Sequence, residues 1–465
     1  MIRRLRWTLL GISLAAGVAA TGVAATPLPT VEGPIAVTAA SGEPFRGANE
    51  QPVAGPGLPL PVLQPFGYVE EEYFVSGTVD GRPYKTALLV RKPRDAKKFS
   101  GVVAVETLHA QGAIPFWGLH DVMMPYGHAW AMVVSQRSAL EMFLKKGNAT
   151  RYGTLDIPLA AGPAQNMLAA GAQDTISQDI LTQVGALLKS PVAGGPFAGL
   201  KVKYLIMGGS SQTGGTTLRY IQQSHARARM PDGRPVYDGY LPSEAFTSGA
   251  LSGGDAAVIH VVGEGDFSLF RSIARGFDIT LRGDSDAPND RFREYQFPAA
   301  SHVPTRGISD PLAIFPTLSG VMQPGEKLSQ FPSPPFYQMA FVNLVQWVTK
   351  GVKPPHAAPL EMVNGEILRD EHGNARGGVR TPWVDLPTAR YTASAPLPAG
   401  SNNMFRRMIG LQEPFPADKL HALYGTRTDY LKRFDREIDR LVKERWLLRA
   451  DGEKLKADER KNPPL

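Results

Sequence analysis

Two continuous apolar runs, residues 102–105 (Val-Val-Ala-Val) and 129–134, each ending at polar residues, constrain this chain more than any other feature. A strand reads this way when both its faces are buried, because neither face can then carry polar side chains. Segments of helical period lie between and after them. Residues 174–189 set Ile176, Ile180, Val184 and Leu187-Leu188 on one stripe, and a helical stretch over 214–225 follows the next strand, 202–207. Short strands at 237–241, 257–262 and 294–297 continue the rhythm. A further amphipathic helix spans 336–350, with Tyr337, Phe341, Leu344 and Val348 in register. Strands alternating with helices predict an α/β fold with a mostly parallel central sheet covered by helices.

Around this centre the chain reads differently. Asp80-Gly81 between residues 73–79 and 85–90 is a hairpin signal. Residues 26–67 are rich in Pro, Gly, Ala and Ser without a sustained period, and read as an extended segment with ordered structure starting at Tyr68. Residues 361–397 are loop-rich. A final helix at 431–448 carries Leu431, Phe434, Ile438 and Leu441 on one face. The expected division is therefore a leader at 1–25, the extended segment at 26–67, and one domain over 68–465 with a C-terminal extension from about residue 355.

The leader rests on Arg3, Arg4 and Arg6 ahead of an apolar run over 7–20, with small residues Val23-Ala24-Ala25 after it. It predicts an exported protein, periplasmic or secreted, whose mature chain starts near Thr26. The run is shorter than the roughly 20 apolar residues of a spanning helix, so no stable membrane insertion is expected once the leader is removed.

The formal charge of +7 includes those three leader arginines, and elsewhere the two signs are interspersed, without basic stripes or aromatic interleaving; no nucleic-acid partner is implied. Cysteine is absent, which excludes disulfides, thiolate metal sites and a cysteine nucleophile. With no H-E-x-x-H, dinucleotide fingerprint or calcium loop, no metal or organic cofactor is expected.

The segment 203–215, Lys-Tyr-Leu-Ile-Met-Gly-Gly-Ser-Ser-Gln-Thr-Gly-Gly, is a strand running through glycines and a serine pair into a helix. A nucleophile elbow needs this arrangement, because the turn is tight and its neighbours must be small. Ser211 has Gly209 two residues before it, but Thr213 stands where G-x-S-x-G has its last glycine. By itself the motif equally fits a turn that caps the next helix with Ser210 or Ser211. A phosphate-binding loop lacks its Lys-Ser or Lys-Thr.

Chain order favours the nucleophile. An acid and a histidine follow at the ends of later strands: Gly263-Glu264-Gly265-Asp266 after 257–262, and Pro298-Ala299-Ala300-Ser301-His302 after 294–297. Ser211 is the expected nucleophile, His302 its base, and Asp266 the acid, with Glu264 as the alternative. His260 lies inside its strand, and Asp238 at the start of its own, where it reads as structural. The oxyanion donors would be the N–H of Gln212 and one from the loop around Leu108, His109, Ala110, Gln111 and Gly112.

Together with that elbow, residues 102–109, 127–136, 151–155 and 377–385 resemble a bacterial family known as alpha/beta hydrolase domain-containing proteins, over most of the chain from about Tyr73. The resemblance implies an α/β-hydrolase fold with Ser211 in the elbow and Glu264 and Asp266 in the acid loop. Where that family more often has tryptophan and asparagine, this chain has Thr107 and His109. The expected activity is hydrolysis of a small-molecule carboxylic ester through an acyl-enzyme. Amide hydrolysis and acyl transfer stay open, and the contrasting reading is a non-catalytic cell-envelope binding or scaffold protein on the same fold.

Overall fold

The computed structural model describes residues 25–44, 63–159, 175–273, 279–306 and 322–464. Leader residues 1–24 fall outside the described residues, as does the part of the extended segment over 45–62. Among the described residues no helix is long and apolar enough to cross a membrane.

Ten strands pair into one sheet: β1 (Thr30–Glu32), β2 (Tyr68–Val79), β3 (Arg82–Pro93), β4 (Val102–Thr107), β5 (Ala129–Val133), β6 (Tyr204–Ser210), β7 (Gly239–Ser243), β8 (Ala257–Gly263), β9 (Ser285–Ala287) and β10 (Asp290–Phe297). Their order across the sheet is β1-β2-β3-β5-β4-β6-β7-β8-β10-β9. Neighbours from β5 through β10 are parallel, while β1, β2 and β3 and the far edge β9 are antiparallel. Strands β4, β5, β7 and β8 are buried along their whole length, as the continuous apolar runs at 102–105 and 129–134 predict for β4 and β5. Asp80 and Gly81 join β2 to β3, both at positive φ (51° and 69°), the twist a two-residue hairpin favours.

Helices α1 (Thr175–Lys189), α2 (Gln212–Gln223), α3 (Glu264–Ile273) and α4 (Ser333–Lys350) lie against the sheet, and α5 (Arg427–Lys443) and α6 (Arg449–Lys461) pack on one another. Buried apolar residues from Tyr68 to Leu455 form one contiguous cluster, which includes Phe434, Ile438 and Leu441 of α5 and Leu455 of α6. The helix expected at 431–448 starts earlier and stops at Lys443. Arg445 takes φ 65° and turns the chain into α6, which lacks a strong apolar stripe and was not expected.

The extended segment also departs from expectation, because Thr30–Glu32 pairs with β2 as an edge strand. A buried ion pair holds the residues that follow it. Arg151 donates to Glu72 through Nε at 2.6 Å and to the carbonyls of Ala36 and Gly42 at 3.1 and 2.9 Å, while the Tyr152 hydroxyl donates to the other Glu72 oxygen at 2.9 Å. Burial pushes the Glu72 carboxyl up, against the Arg151 charge that favours its ionised form.

Candidate active site

Strands β6, β7, β8 and β10 deliver their carboxyl ends to one edge of the sheet, the place where open α/β sheets bind ligands. Ser211 leaves β6 at φ 56° and ψ −120°, and α2 starts at the next residue. A non-glycine residue is held in that region only where its surroundings over-determine it. Here the Ser211 N–H is tied to the Ser243 carbonyl at 3.0 Å. A Cβ on Gly209 would stand 2.6 Å from the Thr213 carbonyl oxygen, and one on Gly214 would stand 2.2 Å from that of Ser243.

The departure from G-x-S-x-G has its reason in these contacts. The helix meets β7 at Gly214, one residue after the motif's last position, so the glycine is required there. Thr213 fits because its hydroxyl bonds back into the turn, accepting from Ser210 N at 3.0 Å and donating to Ser210 O at 2.9 Å.

Three side chains from distant parts of the chain meet at this edge. His302 Nε2 lies 3.0 Å from Ser211 Oγ, and its Nδ1 lies 2.6 Å from Asp266 Oδ1. The other Asp266 oxygen accepts the Gly263 N–H at 2.7 Å, which fixes the carboxylate in the orientation that serves the ring. Burial disfavours the His302 cation, but the bond to Asp266 and the negative charges of Asp266 and Glu244 outweigh it, so the imidazole titrates above its ordinary value.

The structure separates the two acids. Glu264 accepts the Ala299 N–H at 2.8 Å and pairs with Arg369, so it braces the loop that carries His302 and leaves the ring to Asp266. Neither stands in a loop, because α3 starts directly off β8 with Glu264 as its first residue. His260 is buried within β8, with Nε2 2.8 Å from the Ala245 carbonyl oxygen. Asp238 accepts from Leu205 N and pairs with Lys189, both at 2.7 Å, at the start of β7.

Glu244 is the residue that sequence reasoning missed. It follows β7 at φ 54°, is buried, and accepts a hydrogen bond from the Ser210 hydroxyl. Burial raises its carboxyl to about 7, partly offset by the His302 charge. Its only signal in sequence is a polar residue directly after the strand beside the nucleophile strand. Among the described residues no three His, Asp or Glu side chains are grouped to hold a metal ion.

The C-terminal extension closes this edge at backbone distance. A Cβ on Gly265 would lie 2.4 Å from the Ala393 carbonyl oxygen, and the Val303 N–H donates to Met408 O at 2.8 Å. The stretch between Asp266 and the sheet, and the residue after His302, therefore both touch it.

The loop after β4 runs against the elbow. Gln212, at the first position of α2, accepts the Ala110 N–H through its side chain at 3.2 Å and exchanges amide hydrogen bonds with Gln136, which donates to Leu108 O at 3.3 Å. The backbone donors expected at Leu108 and His109 are already engaged, with Val133 O and Ala113 O respectively, both at 3.0 Å, because the loop folds back on itself and on β5.

Residues 31–457 match the family described as "Alpha/beta hydrolase domain". No functionally curated protein is recognisably similar in sequence. Among solved structures the chain is similar to esterase Est22, with 14% identity and a TM-score of 0.29 over 50% of this chain and 72% of that one. It is similar to brefeldin A esterase, a bacterial homologue of human hormone sensitive lipase, with 16% identity and a TM-score of 0.26 over 41% and 44%. A glucuronoyl esterase from Solibacter usitatus gives 12% and 0.26 over 46% and 66%.

Proposed function

Because this chain belongs to the alpha/beta hydrolase domain family, we propose that it is a serine hydrolase that cleaves carboxylic esters through an acyl-enzyme on Ser211. The observation that carries the reading is one line of contacts: Asp266 to His302 Nδ1 at 2.6 Å, and His302 Nε2 to Ser211 Oγ at 3.0 Å. A serine hydroxyl is a poor nucleophile until a base takes its proton as it attacks, and this line puts the base within reach.

In the first half-reaction Ser211 Oγ bonds to the ester carbonyl carbon while His302 Nε2 takes its proton, and the carbonyl oxygen becomes an oxyanion. The Gln212 N–H, free of a helical partner in the first turn of α2, is placed to receive that charge. Collapse of the tetrahedral species breaks the bond to the alkoxy oxygen, which leaves with the proton from His302. Water then repeats the sequence on the acyl-enzyme and releases the acid. Asp266 holds the Nδ1–H tautomer throughout and offsets the imidazolium charge.

Incubation of the purified protein with a fluorophosphonate probe is expected to modify Ser211 alone, located by peptide mass spectrometry. An unlabelled protein that also leaves a panel of p-nitrophenyl esters and anilides intact would overturn the proposal. The pH dependence has a definite sign. Only neutral His302 accepts the proton, and its ionisation is raised by Asp266 and Glu244, so kcat/KM should rise through a limb with its midpoint above the ordinary imidazole value of about 6.5. Removing one negative neighbour, in Glu244→Gln, should move that midpoint to lower pH. A limb that stays in place on this substitution would show that Glu244 does not act on the base.

A further inference from the structure

We propose that the second oxyanion donor is a side chain, the Nε2–H of His109. This rests on the serine-hydrolase reading above and assigns a residue that reading leaves open.

The argument starts from the backbone. An oxyanion hole of this fold draws one N–H from the residue after the nucleophile and one from the loop after the strand next to it, here the loop after β4. In that loop five successive N–H groups have acceptors: Leu108 gives to Val133 O at 3.0 Å, His109 to Ala113 O at 3.0 Å, Ala110 to Gln212 Oε1 at 3.2 Å, Gln111 to His109 Nδ1 at 3.0 Å and Gly112 to His109 O at 2.8 Å. The nearby side-chain amides are spent too, since Gln136 and Gln212 are turned on one another. A main-chain donor could be freed here only by unmaking the loop.

The same contacts prepare the ring of His109. A backbone N–H can only donate, so the bond from Gln111 makes Nδ1 the acceptor and leaves the proton on Nε2. The side chain is buried, and among the described residues no acceptor takes up Nε2. Burial first, and then the charge of His302, lowers its ionisation to about 4, so the ring stays neutral near neutral pH. Its neighbour Ala110 is fastened to Gln212, the residue that supplies the first donor. A neutral imidazole with a fixed N–H, on a loop tied to the residue that follows Ser211, can stabilise a developing negative charge without adding a second cation to the site.

The test is steady-state hydrolysis of p-nitrophenyl acetate by wild type, His109→Phe and His109→Gln. Phenylalanine fills the space without a donor, whereas glutamine carries an N–H to about the same reach. His109→Phe is expected to lower kcat by about 10²–10³ with KM little changed, as loss of one oxyanion donor does elsewhere. His109→Gln should recover at least tenfold of that loss, a rescue that a purely structural histidine would not show. If Phe and Gln variants turn over alike, or if both stay within about threefold of wild type, the ring is not a donor. Failure of the parent reading looks different, because wild type itself would then neither hydrolyse the ester nor take the fluorophosphonate label.

Discussion

Replacing Ser211 or His302 with alanine is expected to lower kcat for p-nitrophenyl acetate by about a millionfold each, and replacing both should lower it little further. The near-equality follows from the 3.0 Å contact between them: the hydroxyl reacts only as its proton leaves, and in acylation it is this imidazole that takes it, so either loss removes the whole step. Asp266→Asn should be milder, about ten-thousandfold, because the base remains but its favoured tautomer is lost. Glu264→Gln should change kcat by no more than about tenfold, since that carboxylate bonds the Ala299 N–H and Arg369 rather than the ring. Losses that multiply in the double variant, or a Glu264→Gln defect larger than that of Asp266→Asn, would assign the proton path wrongly.

The second large effect is on stability. Arg151 and Glu72 are buried together, and Arg151 also ties down the chain at Ala36 and Gly42. Removing one partner of such a pair leaves an uncompensated charge and is expected to destabilise by about 3–5 kcal/mol. Arg151→Met, measured by urea unfolding, should fall in that range. Because the unpaired Glu72 accounts for much of the loss, Arg151→Met with Glu72→Gln should lose clearly less than the sum of the two single variants. A single-variant loss below about 1 kcal/mol would mean that the pair is hydrated and loosely held.

The parts of this molecule that were legible in sequence are those whose physics is local. The strands at 102–105 and 129–134 announce themselves because burial on both faces removes every polar residue, that at 257–262 because only His260 interrupts its apolar run, and the Asp80-Gly81 hairpin because few other residue pairs accept positive φ twice. The elbow at Ser211 was readable as a strand, small residues and a helix. Choosing between Glu264 and Asp266 was not, because the two lie two residues apart in the first turn of α3, roughly 200° apart around its axis, and sequence does not say which side faces the histidine. Glu244 was hidden because its place depends on a left-handed residue after β7. The oxyanion loop failed for a related reason: whether the Leu108 and His109 N–H groups are free depends on carbonyls at Val133 and Ala113 that only loop closure brings near.

The close approach of Gly265 to Ala393, and the bond from Val303 to Met408, make the stretch beyond residue 355 a structural wall beside Asp266 and His302 rather than an appendage. Recombination between relatives at that boundary would therefore separate Asp266 and His302 from the surface packed against their neighbours, even though both residues lie upstream of the crossover. Core and tail have to be inherited together.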